Sequence, residues 1–334
     1  MTTTHACEVF EVKLRTHPNA DALSIVNFMA YPSAVRTVDW KDGELGVFVP
    51  PDSLVPVARP EFAFLADEAK EGYARIRAKK LRGYPSYGLV CHAPEGARVG
   101  EDLAEYLGVK HWEPPQDFSQ ATQGDAESVP WNDTPAYDLE PLQRYPDLIH
   151  NGEEVAITEK IHGTQFKVRW FPTKEGKYRL WVGSHNQWKL NDPRSAYWNA
   201  VRANPAIEAF CREYPGAIVI GEAYGTQKGY SYGVPNGKIL PIVFDVMLPN
   251  GDYAMYDYRY NGYAEKMPWV PTLYRGPFFF NKAIDLAEGP STMPGANHIR
   301  EGCVIVPTER LWHPAVGYLK LKVVGLGYLA NKKG

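Results

Sequence analysis

The sequence predicts an α+β protein of two domains, in which a small N-terminal β-barrel precedes a larger domain of antiparallel sheets with flanking helices. Its 334 residues exceed the roughly 100–200 residues of one typical domain. Short runs with period-two alternation or many β-branched residues recur in both halves of the chain, as expected of strands. An acidic, proline-containing stretch separates the two halves, so we expect a domain boundary there.

The composition is that of a globular protein rather than a polycation or a membrane protein. With 36 Lys and Arg against 39 Asp and Glu, the formal net charge is −3, which excludes a histone-like polycation. No run approaches the ~20 apolar residues of a membrane span, and the first residues do not resemble a signal peptide. The scattered Cys7, Cys91, Cys211 and Cys303 predict reduced thiols and no zinc site. We therefore expect a cytoplasmic protein without membrane attachment.

The first domain is predicted to span residues 1–110 and to consist mainly of short strands. The predicted strands cover residues 7–14, 23–28, 45–49 and 88–91. Turn-forming clusters such as HPNAD and KDGE separate them. Many short strands at this spacing indicate a small barrel or a sandwich. A short helix is expected at residues 104–109.

The stretch from residue 111 to residue 140 differs from both of its neighbours. It contains seven acidic residues, no Lys or Arg, and four prolines. Because it has almost no apolar periodicity, we interpret residues 111–137 as a linker. The second domain is then expected to span residues 138–334.

Strands also dominate the second domain, with two helices between them. The predicted strands cover residues 154–160, 166–171, 178–184, 217–224, 240–247, 303–306 and 318–324. The predicted helices cover residues 195–213 and 281–288. This mixture indicates antiparallel or mixed sheets.

The most informative motif is TEKIHGT at residues 158–164, where a predicted strand ends. Alternation places Val155 and Ile157 on one face and Lys160 on the other, outside the apolar layer. By itself, K-x-H-G is typical of a surface lysine beside a turn glycine. Its meaning depends on the motifs that follow.

Four further clusters follow in chain order. They are GEAYG with Glu222, IVFDVM with Phe244, EGCVIVP with Glu301, and LKLKV with Lys320 and Lys322. Singly, each is typical of ordinary structure: a strand-end charge, a core aromatic or a solvated edge. Ile242, Phe244 and Val246 are expected to share one strand face. Five such clusters in this order indicate a nucleotide site.

Together the five motifs resemble the nucleotidyltransferase motifs of the covalent polynucleotide ligases. The K-x-H-G form is that of RNA ligases, whereas DNA ligases and capping enzymes usually have K-x-D-G. This resemblance covers residues 137 to about 329. The segments LRTHPNADALSIVNF and KKLRGYPSYGLV resemble an OB-fold of the tRNA-binding type. An OB-fold before the catalytic domain is similar to RNA ligase family 5, which implies an OB-fold followed by an adenylyltransferase domain of ATP-grasp-like ligase architecture.

The resemblance implies an ATP-dependent RNA ligase for RNA repair or nick sealing. Lys160 would attack the α-phosphate of ATP, the AMP would pass from lysyl-AMP to an RNA 5′-phosphate, and a 3′-OH would then displace it. With a pKa near 10.4, making the lysine neutral at pH 7 costs about 4.6 kcal/mol. A divalent cation, with Lys320 and Lys322, would lower that pKa, and the two lysines would neutralise the α-phosphate.

The resemblance also implies a nucleotide and metal site. Phe244 would stack on adenine, Glu222 would hold the ribose or a metal-bound water, and Glu301 would bind Mg²⁺ or Mn²⁺. His162 would contact a phosphate or orient pyrophosphate, or else only brace the turn. Further nucleotide-binding residues are expected at Thr158, Glu159, Ile161, Gly163 and Gln165, with Glu159 acting partly through its backbone.

Two positions depart from the pattern of these RNA ligases. Gln165 stands where they commonly have the shorter Asn, and His185 stands where they usually have Arg. A histidine has a different reach and a pH-dependent charge. Both positions belong to the part of the site that handles ribose or RNA ends, so the departures bear on sealing more than on adenylation.

A basic segment of the first domain is a candidate RNA surface. Residues 70–92 contain six Lys or Arg and one acid, interleaved with Tyr73, Tyr84 and Tyr87. OB-folds bind single strands through such mixtures, although a solvated edge strand has the same composition. The candidate RNA-binding residues are Arg75, Arg77, Lys79, Lys80 and Arg82, with His185 in the second domain. Lys332 and Lys333 are further candidates for phosphate contacts.

The alternatives are a catalytically inactive RNA-binding protein that retains the ligase fold, a DNA ligase and a capping-type nucleotidyltransferase. An inactive binding protein has no need of a lysine nucleophile, which disfavours the first. The expected partner is an RNA end or a nicked duplex that contains RNA. A monomer is the expected oligomeric state, because such a ligase must surround one substrate.

Overall fold

A computed structural model divides the chain into two compact units. The model describes residues 5–112, 124–131, 137–227, 229–235 and 238–331. The N-terminal unit consists of residues 3–115, 142–146 and 326–334, and the remainder forms the C-terminal unit. Much of the predicted linker, and also Lys332 and Lys333, lie outside the described residues. The predicted domain boundaries stay a prediction.

Short strands build the N-terminal unit. They are β1 (Glu8–Glu11), β2 (Arg15–Thr16), β3 (Leu23–Phe28), β4 (Tyr31–Arg36), β5 (Leu45–Val49), β6 (Ser53–Pro56), β7 (Tyr73–Arg75), β8 (Lys79–Leu81), β9 (Tyr84–Ser86), β10 (Leu89–His92) and β11 (Lys110–His111). The helical segments are Thr37–Asp39, Ala63–Glu68, α1 (Ala104–Leu107) and Leu326–Asn331. The predicted strands at residues 23–28 and 45–49 are confirmed, whereas the one predicted at residues 7–14 ends at Glu11.

The strands of this unit pair antiparallel in four small sheets, with the orders β1-β5-β10, β2-β3-β4, β11-β6-β7 and β8-β9. Within the described residues these ladders do not join into a closed barrel. The central strand β5 is buried on both faces. Val47 and Val49 pack in one apolar cluster with Phe62, while Phe48 packs in another with Phe28.

A basic hairpin of this unit is held by the HPNAD loop. β8 and β9 are joined at Arg82 and Gly83, which have φ of +48° and +82°, as in the two-residue turns that suit hairpin twist. The Nε2 of His17 lies 3.2 Å from the carbonyl oxygen of Leu81, and the side-chain amide of Asn19 donates to the carbonyl of Arg82 at 2.9 Å. The two loop residues therefore fix both sides of the turn.

The C-terminal unit has twelve strands among its described residues. They are β12 (Glu140–Pro141), β13 (Glu154–Lys160), β14 (Thr164–Pro172), β15 (Tyr178–Ser184), β16 (Trp188–Lys189), β17 (Ile218–Tyr224), β18 (Leu240–Met247), β19 (Thr272–Pro277), β20 (Gly302–Pro307), β21 (Trp312–His313), β22 (Gly317–Tyr318) and β23 (Leu321–Val324). The helical segments are α2 (Ala196–Arg202), α3 (Pro205–Glu213), Tyr256–Tyr260, α4 (Gly262–Glu265) and α5 (Phe280–Leu286).

Two five-stranded sheets organise this unit. The first sheet has the order β12-β23-β20-β13-β19, and the second has the order β16-β15-β14-β17-β18. All of these pairs are antiparallel except β12 with β23. Helices α2 and α3 pack on the second sheet through an apolar cluster that includes Phe166, Trp198 and Phe210. Because β13 leads directly into β14, the chain passes from one sheet to the other at residues 161–163.

Two predicted elements, one helix and one strand, are each interrupted in the structure. A proline interrupts the helix, and pairing with different neighbouring strands divides the strand. The single helix predicted at residues 195–213 is wrong, because it breaks into α2 and α3 at Pro205. Proline has no N–H to donate to the preceding turn, and the Asn204 side chain caps the new helix by accepting from the N–H of Ala206 at 3.1 Å. The strand predicted at residues 318–324 splits as well. Its first part pairs with β21 and its second part with β20 and β12.

The strand that ends at Lys160 is more deeply buried than its alternation predicts. Val155, Ala156, Ile157, Thr158 and Glu159 are all buried, because β13 lies in the middle of the first sheet with the second sheet beyond its inner face. Alternation therefore does not separate buried from exposed positions on this strand. None of the described helices is long and apolar enough to cross a membrane.

Candidate active site

A cavity of about 220 Å³ lies between the two sheets of the C-terminal unit. Strands β13, β20 and β23 line it from the first sheet, and β14, β17 and β18 line it from the second. Of the predicted nucleotide-binding residues it brings together Thr158, Glu159, Lys160, Ile161, Gln165, Glu222, Phe244 and Lys322. The other lining residues are Tyr137, Asp138, Leu139, Val270, Val304 and Val306. Motifs separated by more than 150 residues thus face one space.

Lys160 lies at the end of β13, with its amine against two carboxylates. Pairing of Lys160 with Gly302 of β20 brings the preceding Glu301 alongside, and the Nζ lies 2.8 Å from Glu301 Oε1. Burial alone lowers the pKa of Lys160, but the charges of Glu301 and Glu222 outweigh burial and raise it. In this arrangement the amine is a cation held by Glu301.

Glu222 faces Lys160 from the second sheet. Burial raises the pKa of Glu222 to about 8, with a smaller upward effect from Glu301 and an opposing effect from Lys160. With a pKa of about 8, Glu222 is mostly protonated at pH 7, so the positive charge of Lys160 is held by Glu301. Such a pair of oxygen donors suits a hard divalent cation. Within the described part of the chain, no group of three or more His, Cys, Asp or Glu side chains forms a ready-made metal site.

Gly163 allows the chain to turn tightly after Lys160. A Cβ at this position would lie 2.5 Å from the carbonyl oxygen of Ala223 and 2.7 Å from Cγ of Glu222, closer than real contacts. The absence of a side chain at Gly163 thus lets β13 continue into β14 directly beside Glu222. Gly163 does not line the cavity itself.

Phe244 reaches the cavity through a β-bulge. In the pairing of β17 with β18, Ile220 faces Asp245 and Gly221 faces Val243, so Phe244 is the extra residue. The prediction that Ile242, Phe244 and Val246 share a face therefore holds for Ile242 and Phe244 and is wrong for Val246. Val243 and Val246 pack in the core beneath the second sheet, while Phe244 packs in a cluster that contains Ile242. Bulges commonly redirect a side chain in this way.

Next to Phe244 lies a polar cluster of Asp245, Tyr137 and Lys320, which the sequence pattern does not indicate. The rings of Tyr137 and Phe244 are 5.1 Å apart, and the Tyr137 hydroxyl donates to Oδ2 of Asp245 at 2.7 Å. Lys320 forms an ion pair with the same oxygen, and its Nζ lies 4.9 Å from the Tyr253 ring centroid. Lys320 therefore supports the wall of the cavity and does not line it.

Lys322, two residues further on, faces the cavity. It pairs with Val304 of β20 on one side and with Pro141 of β12 on the other. Burial, together with the neighbouring charge of Lys160, lowers the pKa of Lys322. The alternation of lysines with the buried Leu319, Leu321 and Val323 agrees with the predicted strand faces.

The Glu159 carboxylate holds a loop. It accepts hydrogen bonds from Ser291 Oγ at 2.5 Å, from the Thr292 backbone N–H at 2.7 Å and from Thr292 Oγ1 at 2.6 Å. With its side chain occupied in this way, Glu159 can offer a ligand its backbone. Strand β13, which carries Lys160, is thereby tied to residues 291–292.

His162 follows Lys160 but does not line the cavity. Its Nδ1 lies 4.0 Å from Glu301 Oε2, and its ring packs edge-on against Tyr230 at 4.9 Å. The backbone N–H of His162 donates to the hydroxyl of Tyr232 at 2.7 Å. The imidazole thus lies beside Glu301 and not among the residues that line the cavity.

The candidate RNA-binding residues have different surroundings. Arg75 is paired with Asp52 at 2.6 Å and stacks on Trp112, and Lys79 is 3.4 Å from Glu68. Lys80 and Arg82 are exposed in the hairpin, whereas Arg77 is half-buried. In the C-terminal unit, His185 Nε2 lies 3.4 Å from Asp138 Oδ2. Of the three predicted stacking tyrosines, Tyr87 is buried.

Several cavity residues were missed at the level of sequence. Tyr137 and Asp138 fall at the edge of the predicted linker, where the aromatic and acidic side chains just before β12 are the one available signal. Val270, Val304 and Val306 form an apolar wall. Their sequence surroundings resemble any buried strand, so only the fold distinguishes them from core residues.

Two family models match the chain. A model described as RNA ligase matches residues 153–324, more than half of the sequence. The chain belongs to the RNA ligase family. A model of an OB-fold domain matches residues 8–93 of this ligase, so the predicted N-terminal OB-fold is confirmed. No curated protein sequence matches the chain.

Solved structures of an RNA ligase from Naegleria gruberi are similar to this ligase over almost the whole of both chains. The complex with pyrophosphate has 22% identity and a TM-score of 0.81, with 99% of each chain covered. A variant with ATP and Mn has 21% identity and a TM-score of 0.81, covering 99% of this chain and 100% of that one. A variant with AMP and Mn has 21% identity and a TM-score of 0.80. The likeness confirms the predicted fold class.

Proposed function

We propose that this RNA ligase uses ATP to join RNA 3′-OH and 5′-phosphate ends through lysyl-AMP at Lys160, in RNA repair or nick sealing. The observation that supports this most is the position of the Lys160 amine, in one cavity with Glu222 and Lys322 and 2.8 Å from Glu301. The Naegleria gruberi ligase, which has the same fold, is known with ATP and Mn, with AMP and Mn, and with pyrophosphate. ATP is therefore the nucleotide we expect here.

The cavity offers a flat apolar space for the base. Phe244, backed by Tyr137, faces it from the second sheet, and Val304 and Val306 line it from the first. Stacking of a base on an aromatic ring contributes roughly 1–3 kcal/mol. Thr158, Glu159 and Ile161 would complete the base site mainly through backbone groups.

Lys160 would first lose a proton to solvent, because an ammonium has no lone pair. Its nitrogen would then form a bond to the α-phosphorus while the bond to the pyrophosphate oxygen breaks, and it would release a second proton to solvent as pyrophosphate leaves. The amine must first leave Glu301, which now holds it as a cation. When bound to Glu301 and Glu222, Mg²⁺ or Mn²⁺ would supply positive charge that competes with the lysine for both carboxylates. Lys322 would then neutralise the α-phosphate.

Lys320 and His162 would act beside the cavity. Lys320, bound to Asp245, keeps the Tyr137 and Phe244 wall in place. His162, beside Glu301, would contact the departing pyrophosphate or brace the turn. Gln165, which pairs with Glu222 across two strands, would contact the nucleotide ribose, with Gly163 giving the chain room to pass.

The two units would divide the work. We propose an OB-fold domain at residues 1–110 that binds RNA through Arg77, Lys80 and Arg82, a linker at residues 111–137, and an adenylyltransferase domain at residues 138–334. Arg75 and Lys79 would contribute after exchanging their present carboxylate partners for phosphates. All four cysteines are free and buried, which fits the reducing cytoplasm. We expect the enzyme to act as a monomer.

The first step can be tested with α-labelled ATP. The wild type, with Mg²⁺ or Mn²⁺, should retain label after denaturation, and Lys160→Ala should not. Lys174→Ala removes an exposed lysine and should label normally. If folded wild-type protein, initially free of AMP, takes up no label with any nucleotide or metal, the protein is an inactive relative. Label from GTP in preference to ATP would indicate a capping-type enzyme.

The sealing step requires a second assay. A nick with RNA on its 3′-OH side should be joined by the wild type and not by Lys160→Ala. Equal joining of an all-DNA nick would indicate a DNA ligase instead.

A further inference from the structure

The junction between the predicted linker and the predicted second domain supplies one wall of the cavity. Tyr137, Asp138 and Leu139 line it together with Lys160 and Phe244. These three residues come directly before β12, which pairs with β23 beside Lys322. Their position is therefore set by the sheet that carries the catalytic lysines.

The same segment is also anchored upstream. The Trp131 ring packs edge-on against Phe171, Trp181 and Trp188 at 5.0–5.3 Å between ring centroids. Glu127 forms an ion pair with Arg179 at 2.5 Å. Residues on both sides of Asp138 are thus bound to the sheets, as expected of a built part of a site rather than of a free linker.

Asp138 is paired with a histidine that follows β15. Gln165 pairs with Glu222 across β14 and β17, and Phe166 pairs with Ser184 across β14 and β15. His185 comes directly after Ser184, the last residue of β15, and its Nε2 lies 3.4 Å from Asp138 Oδ2. The carbonyl of His185 is held by Lys167 Nζ at 3.0 Å.

The position of the Asp138 carboxylate in the cavity, relative to the expected positions of the ATP base and α-phosphate, suggests which part of the nucleotide it binds. The apolar wall with Phe244 is suited to the base, and Lys160 and Lys322 mark the position of the α-phosphate. In any nucleotide the ribose lies between these two parts. The Asp138 and His185 side chains are 26% and 31% exposed, so both remain open to a ligand.

We propose that Asp138 recognises the ribose of the bound nucleotide, its carboxylate accepting hydrogen bonds from the sugar hydroxyls while His185 holds it in place. This inference rests on the proposed use of ATP. A carboxylate is a strong acceptor and a sugar hydroxyl a natural donor. A site built to bond a substrate hydroxyl rejects an analogue that lacks it.

The test compares nucleotides in the formation of lysyl-AMP. Wild type, Asp138→Ala, Asp138→Asn and the control Asp192→Asn are assayed with ATP, 2′-deoxy-ATP, 3′-deoxy-ATP and inosine triphosphate. Asp192 is a carboxylate paired with the exposed Arg194. The wild type and the control should prefer ATP over at least one deoxy analogue. Asp138→Ala should lower that preference at least tenfold, as expected when a hydrogen bond to a charged acceptor is lost.

The outcomes separate this inference from the proposed function. An unchanged preference for ATP over both deoxy analogues in folded Asp138→Ala and Asp138→Asn overturns the ribose assignment. A changed preference for ATP over inosine triphosphate, with the deoxy preference intact, would show that Asp138 reads the base and also overturns it. Absence of label in the wild type with every nucleotide contradicts the proposed function itself. If Asp138→Ala does not fold, Asp138→Asn, which keeps the side-chain volume, decides.

Discussion

At the residue scale, two lysines separated by one position have different surroundings. Lys322 faces the cavity, whereas Lys320 is bound to a buried carboxylate behind the cavity wall. The sequence places both on one strand face and cannot tell them apart. The difference arises because Asp245, 75 residues away in the chain, forms an ion pair with Lys320 and not with Lys322.

Lys322→Ala and Lys320→Met should therefore fail differently. Loss of Lys322 removes charge from the proposed α-phosphate site, so lysyl-AMP formation should slow at least a hundredfold with little change in stability. Lys320→Met leaves Asp245 as an unpaired buried carboxylate, which costs about 3–5 kcal/mol of folding free energy. Single-turnover labelling and urea unfolding measure the two effects. Equal stability of both variants would contradict the buried ion pair.

Lys167 illustrates how burial alters a single titrating group. Its side chain is buried on the second sheet, and burial lowers its pKa to about 8. Since the folded pKa lies below that of the unfolded chain, the cost of burying the charge is fully present below pH 8. That cost disappears as pH rises from about 8 to 10.5.

Lys167→Met should accordingly be more stable than the wild type at pH 7, by about 1–3 kcal/mol. The advantage should shrink as pH rises through that window, because the wild-type lysine becomes neutral. Urea unfolding of both proteins at pH 7, 8.5 and 10 measures the difference in free energy. A stability difference that does not vary with pH would refute the lowered pKa.

At the scale of elements, small interruptions direct the important side chains. The bulge at Phe244 turns its ring toward the cavity, and the Asn204–Pro205 break ends one helix and starts another. Propensity and periodicity predict that these elements exist. The interruptions are set by neighbouring strands and caps, to which single-element patterns are insensitive.

The cap of α3 provides a test at this scale. Asn204→Ala removes the hydrogen bond from the side-chain oxygen to the N–H of Ala206. The variant should lose about 1 kcal/mol of stability, seen as a lower urea midpoint with an unchanged slope. Asn261→Ala is the matched comparison, because Asn261 stands at the N-cap of α4 and its side chain makes no capping hydrogen bond. A midpoint equal to the wild type would show that the cap does not contribute.

At the scale of the whole molecule, charge is distributed unevenly along the chain. Residues 111–140 carry a formal charge of −7, so the other 304 residues carry +4. The overall value of −3 therefore does not weigh against a nucleic-acid partner. Part of this acidic stretch is also used structurally, since Glu127 binds Arg179 and Asp138 lines the cavity.

The exposed hairpin of the OB-fold unit should matter for RNA and not for nucleotide chemistry. Lys80→Ala combined with Arg82→Ala should weaken nick binding and sealing several-fold at physiological salt, and should reduce the salt dependence of binding, because phosphate contacts are lost. Lysyl-AMP formation should be unchanged. Lys41→Ala, an exposed lysine of the same unit, serves as control. Full sealing by the double variant would exclude the hairpin from the RNA site.

The amino-acid sequence by itself determined the fold class, the order of the motifs, the choice of Lys160 as candidate nucleophile and most strand positions. These features are local, because strand alternation and motif spacing depend on residues that are close together in the sequence. Only the tertiary structure decided that Lys320 supports the cavity wall, that Glu159 holds the loop at residues 291–292 and that Asp138 lines the cavity. Each of these depends on a partner far away in the chain, and distance in space cannot be read from separation in sequence.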